Sequence, residues 1–425
     1  MGREAEGSGS THHGLVEHFF RHEYGRAVAT LVRSFGTRNL DLIEDGVQSA
    51  MTAALTAWGI RGLPDRPGAW LQRAARNHVI DALRRRGVAQ REDPPSPTSE
   101  AYDAGEPTFD HEVEDDLLRM LFMCCDESLP TDSQLALALK TLCGFSVAEI
   151  AFRLLSTPVN IHKRLTRART HLTGGMPELD TPPPTTLRAR LPAVHHIIYL
   201  LFNEGYSSAQ PDRLIRSELC DEALRLGSLL VQHPIGDGPE SWALLALMHF
   251  QRARLEARVD GMGGLLLLEA QDRNLWDRAE IELGLRCLYR SAQGQQFSRY
   301  HAEAAIAAEH CLASTFEQTR WQEIIDLYCM LERVAPSPLH TLNRAIAVAQ
   351  LHGPRAGLAV LEPIQPPRWL SGYYLWDATL GELHRRAGNI DRAKRHLTQA
   401  LQGAPTEAEQ RLIQRRRAQC DGGSG

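Results

Sequence analysis

Two amphipathic helical patterns open the chain, one from Leu15 to Phe35 and one from about Asn39 to Trp58. A third stretch, Ala69 to Arg86, divides more sharply. At about 100° per residue, Leu71, Ala74, Ala75, Val79 and Ala82 gather on one side of a helix. Arg73, Arg76, Asn77, Ile80 and Arg84 gather on the other, and Arg85 and Arg86 carry the positive charge past the end. Such a helix docks its small apolar side and turns an arginine- and amide-bearing face outward, suited to phosphates and base edges. By form alone it is equally a solvated arginine-rich helix. Ile80 amid the basic face and Asp81 as the only acid favour nucleic acid.

Further on, the pattern reads as a helix-turn-helix. Ser146-Val-Ala-Glu149 has the form of a capping box, and Phe145 is placed to staple against Ile150. The first helix runs to about Leu154. Thr157 then caps a second helix that starts on Pro158, a favoured first position. In it Ile161, Leu165, Ala168 and Leu172 must face inward. Asn160, Lys163, Arg164 and Arg167 are left exposed with Arg169 beside them, and no acid occurs from Thr157 to Thr173. A recognition helix in a major groove needs this layout, although the same motif also serves as pure packing.

From about Leu187 onward the pattern is a long helical extension with internal repeats. Leu380, Gly381, His384, Gly388, Ala393, Leu397, Ala400 and Pro405 sit at tetratricopeptide offsets, and Gly353 lies 35 residues before Gly388. Trp242, Leu245, Ala246 and His249 start a third helix with similar spacing. Together these predict a solenoid. The fold class is therefore all-α: two small helical domains, the second with a helix-turn-helix, followed by a helical-repeat extension.

Punctuation sets the expected limits. Residues 1–13 read as a flexible tail without the apolar core of a signal peptide. Residues 14–91 form the first domain, in which Gly59 to Gly68 is a loop ending in Asp65 as cap and Pro67 as first helical residue. Residues 92–116 hold ten acids, no lysine or arginine, and four prolines, and are predicted as an acidic flexible linker. Residues 117–175 are the helix-turn-helix domain, and 176–186, containing Thr181-Pro-Pro-Pro-Thr185, a stiff spacer. The extension covers 187–417 and a short tail 418–425.

Composition adds exclusions. With 425 residues, 43% hydrophobic and 23% charged, the chain is ordinary globular material for two or more domains. The formal charge of −5 confines nucleic-acid affinity to local patches. No apolar run approaches the roughly 20 residues that span a bilayer. Eight cysteines occur without one C-x-x-C, mostly inside apolar runs, which points to a reduced cytoplasmic protein without a zinc site. Adjacent His195 and His196 point about 100° apart on a helix and make poor joint ligands. Asp272 and Arg273, beside the run Leu265 to Leu268, read either as a structural ion pair or as a docking surface. Asp260 to Gly264 is a turn without phosphate-loop spacing. No catalytic constellation, metal site or cofactor site stands out, so the expectation is a protein that is not an enzyme.

The wording of Trp70 to Arg85, W-L-x-R-x-A-R-N-x-x-I-D-x-x-R-R, resembles the promoter-melting, −10-reading segment of sigma-70 family transcription factors, most of all the short extracytoplasmic-function type. Asp41 to Gln48, D-x-x-E-D-x-V-Q, is similar to the family segment that grips the clamp helices of core RNA polymerase, with Ser49 and Met51 in place of the usual acid and aromatic. Ser146 to Arg169 resembles the −35-reading domain, with His162 where relatives often have glutamine. Asn203 to Tyr206 and the long extension are similar to the group with a tetratricopeptide-like C-terminal part. The resemblance implies core-polymerase binding through Asp41, Glu44, Asp45 and Gln48. It implies −10 DNA contacts from Arg73, Arg76, Asn77, Arg84 and Arg85, with Trp70 packing the helix. The −35 contacts would come from Asn160, Lys163, Arg164, Arg167 and Arg169. The implied partners are core RNA polymerase, promoter DNA and a protein or small-molecule regulator at the extension, with no membrane. The alternative is a conventional helix-turn-helix regulator with an interaction solenoid.

Overall fold

The computed structural model describes residues 23–90, 115–175, 182–208, 210, 213–261, 264–364, 370 and 373–421. The expected tail at 1–13 and most of the acidic linker lie outside the described residues. Contacts divide the chain into two units, Met1–Ile197 with His233–Ile235, and Ile198–Gln232 with Gly236–Gly425. The described residues are helical, with no strand beyond a single bridge between Val259 and Leu265. No described helix is long and apolar enough to cross a membrane.

In the first unit, residues 23–35 (α1) precede α2 (Leu40–Arg61) and α3 (Pro67–Gln90). Their cores interlock as the pattern requires: Val28, Val32, Ile43, Val47, Leu71, Ala75 and Val79 are buried. Gly46 sits where α2 meets α3, and a Cβ there would lie 2.9 Å from Val79 Cγ2 and 3.2 Å from the Ala75 carbonyl oxygen. Gly62, at φ 78°, stops α2 with its N–H bonded to the Trp58 carbonyl. Proline at the first position of α3 matches the expected start.

Four helices follow: α4 (Asp116–Cys124), α5 (Thr131–Thr141), α6 (Val147–Arg153) and α7 (Pro158–Gly175). The capping box at Ser146 and Glu149 forms in both directions, and Phe145 and Ile150 are both fully buried. Thr157 Oγ1 accepts the Asn160 N–H at 3.3 Å. Ile161, Leu165, Ala168 and Leu172 are buried on α7, the leucines and isoleucine each contributing about 2 kcal/mol by burial. Two expected limits shift. Asp115 caps α4 and Asp116 is its first residue, holding Thr30 Oγ1 and Arg33 of α1, so the linker's last two residues belong to the fold. The proline spacer also ends early, because α8 (Pro184–Tyr206) begins inside it. A proline run suits an extended spacer, but its last member equally suits a first helical turn, and the Leu187 N–H reaches back to the Pro183 carbonyl. Arg190 of α8 then donates to the Phe122 carbonyl and to Asp126, both at 3.0 Å.

Among the described residues the second unit holds the rest of α8 and ten further α-helices: α9 (Ser217–Gln232), α10 (Pro239–Ala253), α11 (Arg278–Ser291), α12 (Arg299–Leu312), α13 (Trp321–Val334), α14 (Pro338–His352), α15 (Pro354–Leu361), α16 (Tyr374–Arg386), α17 (Ile390–Gly403) and α18 (Glu407–Gln419). Neighbouring helices pair: α16 with α17, α14 with α15, α10 with α11. Gly388 and Gly353 both have positive φ, at 80° and 86°, in the corresponding turns. Gly381 packs against Leu397, where a Cβ would stand 2.7 Å from Leu397 Cγ. The third expected repeat differs. Residues 254–277 intervene between α10 and its partner α11, so that pair is not joined by a tight turn.

The Asn203-Glu-Gly-Tyr206 stretch closes α8. Glu204 and Arg216 form a fully buried ion pair at 3.3 Å, and Ser208 Oγ donates to Glu204 at 2.8 Å. Gly205 lets the segment leading into α9 approach, with a would-be Cβ 2.7 Å from the Cys220 nitrogen.

Candidate nucleic-acid interface

On α3 the two faces separate as the pattern predicts. Leu71, Ala75 and Val79 have no exposure, whereas Arg73, Asn77, Arg84 and Arg85 are exposed and Arg76 is half-buried. Arg85 Nε donates to the Asp81 carbonyl at 3.2 Å, and Arg84 stands 3.9 Å from Asp81 on the surface, a contact of little energetic weight. Trp70 meets Trp58 edge to face at 5.6 Å, which places it as a brace between α2 and α3. The result is a helix that presents Arg73, Asn77, Arg84 and Arg85 as exposed donors, with Asp81 beside the last two.

The α7 face divides into free and engaged groups. Asn160, Lys163 and Arg167 are exposed. Arg164 is instead tied to Asp132 of α5 at 2.7 Å, so part of its donor capacity is spent inside the domain. At the turn before α7, Leu155 has φ 47°, the only non-glycine in that region among the described residues.

The polymerase-binding set that the resemblance implies on α2 divides as well. Asp41, Asp45 and Gln48 are exposed, but Glu44 is buried. Its carboxylate accepts Thr141 Oγ1 at 3.2 Å and Arg169 Nη2 at 2.5 Å. Burial pushes the Glu44 carboxyl above the usual carboxylate range, more than Arg169 and Thr141 lower it. One residue of the expected polymerase-binding face and one of the expected −35 face therefore hold each other. The helical period carried a signal for this: Glu44 lies four residues after Leu40 and three before Val47, inside the apolar stripe. Periodicity gives no partner, so Arg169 and Thr141 were not legible.

A second polar centre supports α7 from below. Asp126 takes Arg190 at 3.0 Å and lies 3.5 Å from His171. Against the cost of burial, the hydroxyl and N–H of Ser128, then Arg190 and His171, hold Asp126 below the usual range. Buried His195 is pushed down to about 4 by desolvation. Among the described residues no group of three or more metal-ligating side chains assembles.

Family models match in the same order as these surfaces. Residues 20–88 match sigma-70 region 2, and residues 119–172 match sigma-70 region 4. The chain belongs to the sigma-70 family. In this sigma factor the region 2 match takes in α2 and nearly all of α3, and the region 4 match takes in most of α4 to α7. Residues 190–292 match a family of unknown function (DUF6596), which spans most of α8 to α11. An uncharacterized protein of Rhizobium meliloti (strain 1021) is 38% identical over 392 residues, covering 91% of this chain and 92% of that protein. No solved structure matches the chain. DNA binding, polymerase binding and transcription initiation follow from the two sigma-70 regions.

Proposed function

We propose that this sigma factor is of the extracytoplasmic-function type and directs core RNA polymerase to a small set of promoters, with a tetratricopeptide-like extension that acts on initiation from within the same chain. The observation that carries the reading is the basic α3 face, exposed Arg73, Asn77 and Arg84 set opposite buried Leu71, Ala75 and Val79, with exposed Arg85 carrying the charge past the end. A helix of this kind traps an opened strand, and its contacts must offset an unstacking cost of a few kcal/mol per step. Asn160, Lys163 and Arg167 would read the −35 element, and Asp41, Asp45 and Gln48 the polymerase clamp. Turnover chemistry has no place in this reading.

The Glu44–Arg169 pair gives the free chain a state in which regions 2 and 4 are joined. Engagement of polymerase by Glu44 and of DNA by Arg169 requires that pair to part. In this reading polymerase supplies the energy for opening.

The second reading, a helix-turn-helix regulator independent of polymerase, rests on the same α7. Gel shifts of promoter DNA with and without core polymerase separate the two. The sigma reading expects weak binding by the chain alone and a stable complex only with core; full-strength binding by the chain alone, unchanged by core, favours the regulator.

A further inference from the structure

The segment between α10 and α11 gathers three arginines for which no carboxylate partner is found among the described residues. Arg258 lies with its guanidinium carbon 3.7 Å from the Tyr206 ring centre and donates to the Tyr206 carbonyl. Arg254 donates to the Tyr206 hydroxyl at 3.0 Å, and its guanidinium carbon is 5.5 Å from the centre of Trp276. Arg273 approaches the same indole at 4.5 Å and donates through Nη1 to the carbonyls of His310 and Ala313, at 2.6 and 2.7 Å. Asp272, the neighbour of Arg273, instead accepts the Asn274 N–H, so of the two readings the sequence left open the Asp272–Arg273 ion pair does not form. Glu317, whose charge reaches Arg273, is exposed and accepts from its own N–H and from Thr315.

Helix capping explains part of this. Arg254 stands at the C-terminal cap of α10, and Arg273 caps the end of α12, where carbonyls and the helix dipole favour a cation. It leaves the rest unexplained. Arg254 Nε, Arg273 Nη2 and Trp276 Nε1 are buried donors without an acceptor, and the buried Nδ1 of His310, a ring on which both arginines act, has no partner either. Arg254 and Trp276 are 8% and 3% exposed. His310 is held neutral, pushed down to about 3 by burial and then by Arg254 and Arg273, so it adds a polar edge without further charge. A surplus of buried donors, two of them on guanidinium groups, is complementary to an acceptor that carries negative charge. Planar guanidinium forks match the paired oxygens of phosphate and carboxylate.

We propose that Arg254, Arg273 and Trp276 form a binding site for a small oxyanion, the phosphate or carboxylate group of a metabolite-sized ligand. Half-buried Arg273 is the side open to solvent, and Arg254 lies deeper, fixed by Tyr206. The site lies wholly within the extension and does not depend on the sigma-factor reading.

The test uses the full chain in thermal melts with inorganic phosphate, citrate or sodium chloride at matched ionic strength. Phosphate or citrate should raise the melting temperature beyond chloride, phosphate alone identifying a phosphate group and citrate alone a carboxylate. Arg273→Gln should weaken the effect about tenfold, since one charge-assisted bond is lost. Arg290→Gln, at an exposed arginine stacked on Trp242, should leave it unchanged. Phosphorus-31 line broadening of inorganic phosphate on titration with the wild-type chain gives a second readout if Arg273→Gln does not fold. Equal effects of phosphate, citrate and chloride, or an undiminished shift in Arg273→Gln, would overturn the site.

Discussion

Glu44 is the residue whose environment departs furthest from its expected role. Its folded form holds a proton more tightly than the unfolded chain does. Its contribution to stability is therefore full below the ordinary carboxylate value and is lost as pH rises through the raised one. Melting curves of wild type and Glu44→Gln between about pH 4 and 7 should diverge, with the wild type losing ground as pH rises. Asp126 works in the opposite direction but is common to both proteins and cancels in the difference. Parallel profiles would remove Glu44 as the titrating group. The buried pair of Glu204 and Arg216 makes a different demand. Glu204→Ala removes the 3.3 Å carboxylate partner of a guanidinium that has no exposure, and Glu218, 3.7 Å away, is a further carboxylate beside it. A loss of about 3 kcal/mol in denaturant unfolding is expected. A loss under about 1 kcal/mol, the size of a surface pair, would mean that the other groups around Arg216 satisfy it without Glu204.

At the scale of elements, α3 and α7 were legible because each carries its own evidence: an apolar stripe, a start signal and an acid-poor opposite face. The capping box at Ser146 and the proline at 158 fix the ends of two helices locally, without reference to the rest of the chain. What depended on partners was not legible. Arg164 looked free on a helical wheel but is tied to Asp132, and the start of α8 was hidden because a proline run suits both an extended spacer and a first turn. The long segment between α10 and α11 escaped a reading based on repeat spacing, since period gives the face of a helix and not its partner. These placements refine two predictions. Arg73→Ala should leave core-polymerase affinity nearly intact while lowering permanganate reactivity of the −10 region; unchanged reactivity would remove Arg73 from the melting face. In a −35 promoter library, Lys163→Ala should weaken all sequences evenly. Asn160→Ala should instead relax one position by about 1–3 kcal/mol, and the reverse pattern would exchange the two roles.

Taken whole, the chain couples two small sigma-70 regions to a larger helical extension, and α8 is divided between the units after Ile197. Arg190 binds Phe122 and Asp126 within the first unit, so removal of everything after Pro184 deletes part of region 4's own support. A chain ending at 184 should melt lower than one ending at 197 for that reason alone, and activity comparisons of truncated chains need the longer form. On the proposed function, this protein gives core polymerase a promoter specificity it otherwise lacks. Run-off transcription with purified core polymerase on candidate promoters measures that property. Discrete promoter-dependent transcripts are expected with the full chain and none with core alone, reduced in proportion when Arg73 and Arg84 are both replaced by alanine. Binding of the full chain to those promoters without any transcript, at every promoter tried and in the presence of active core, would contradict it.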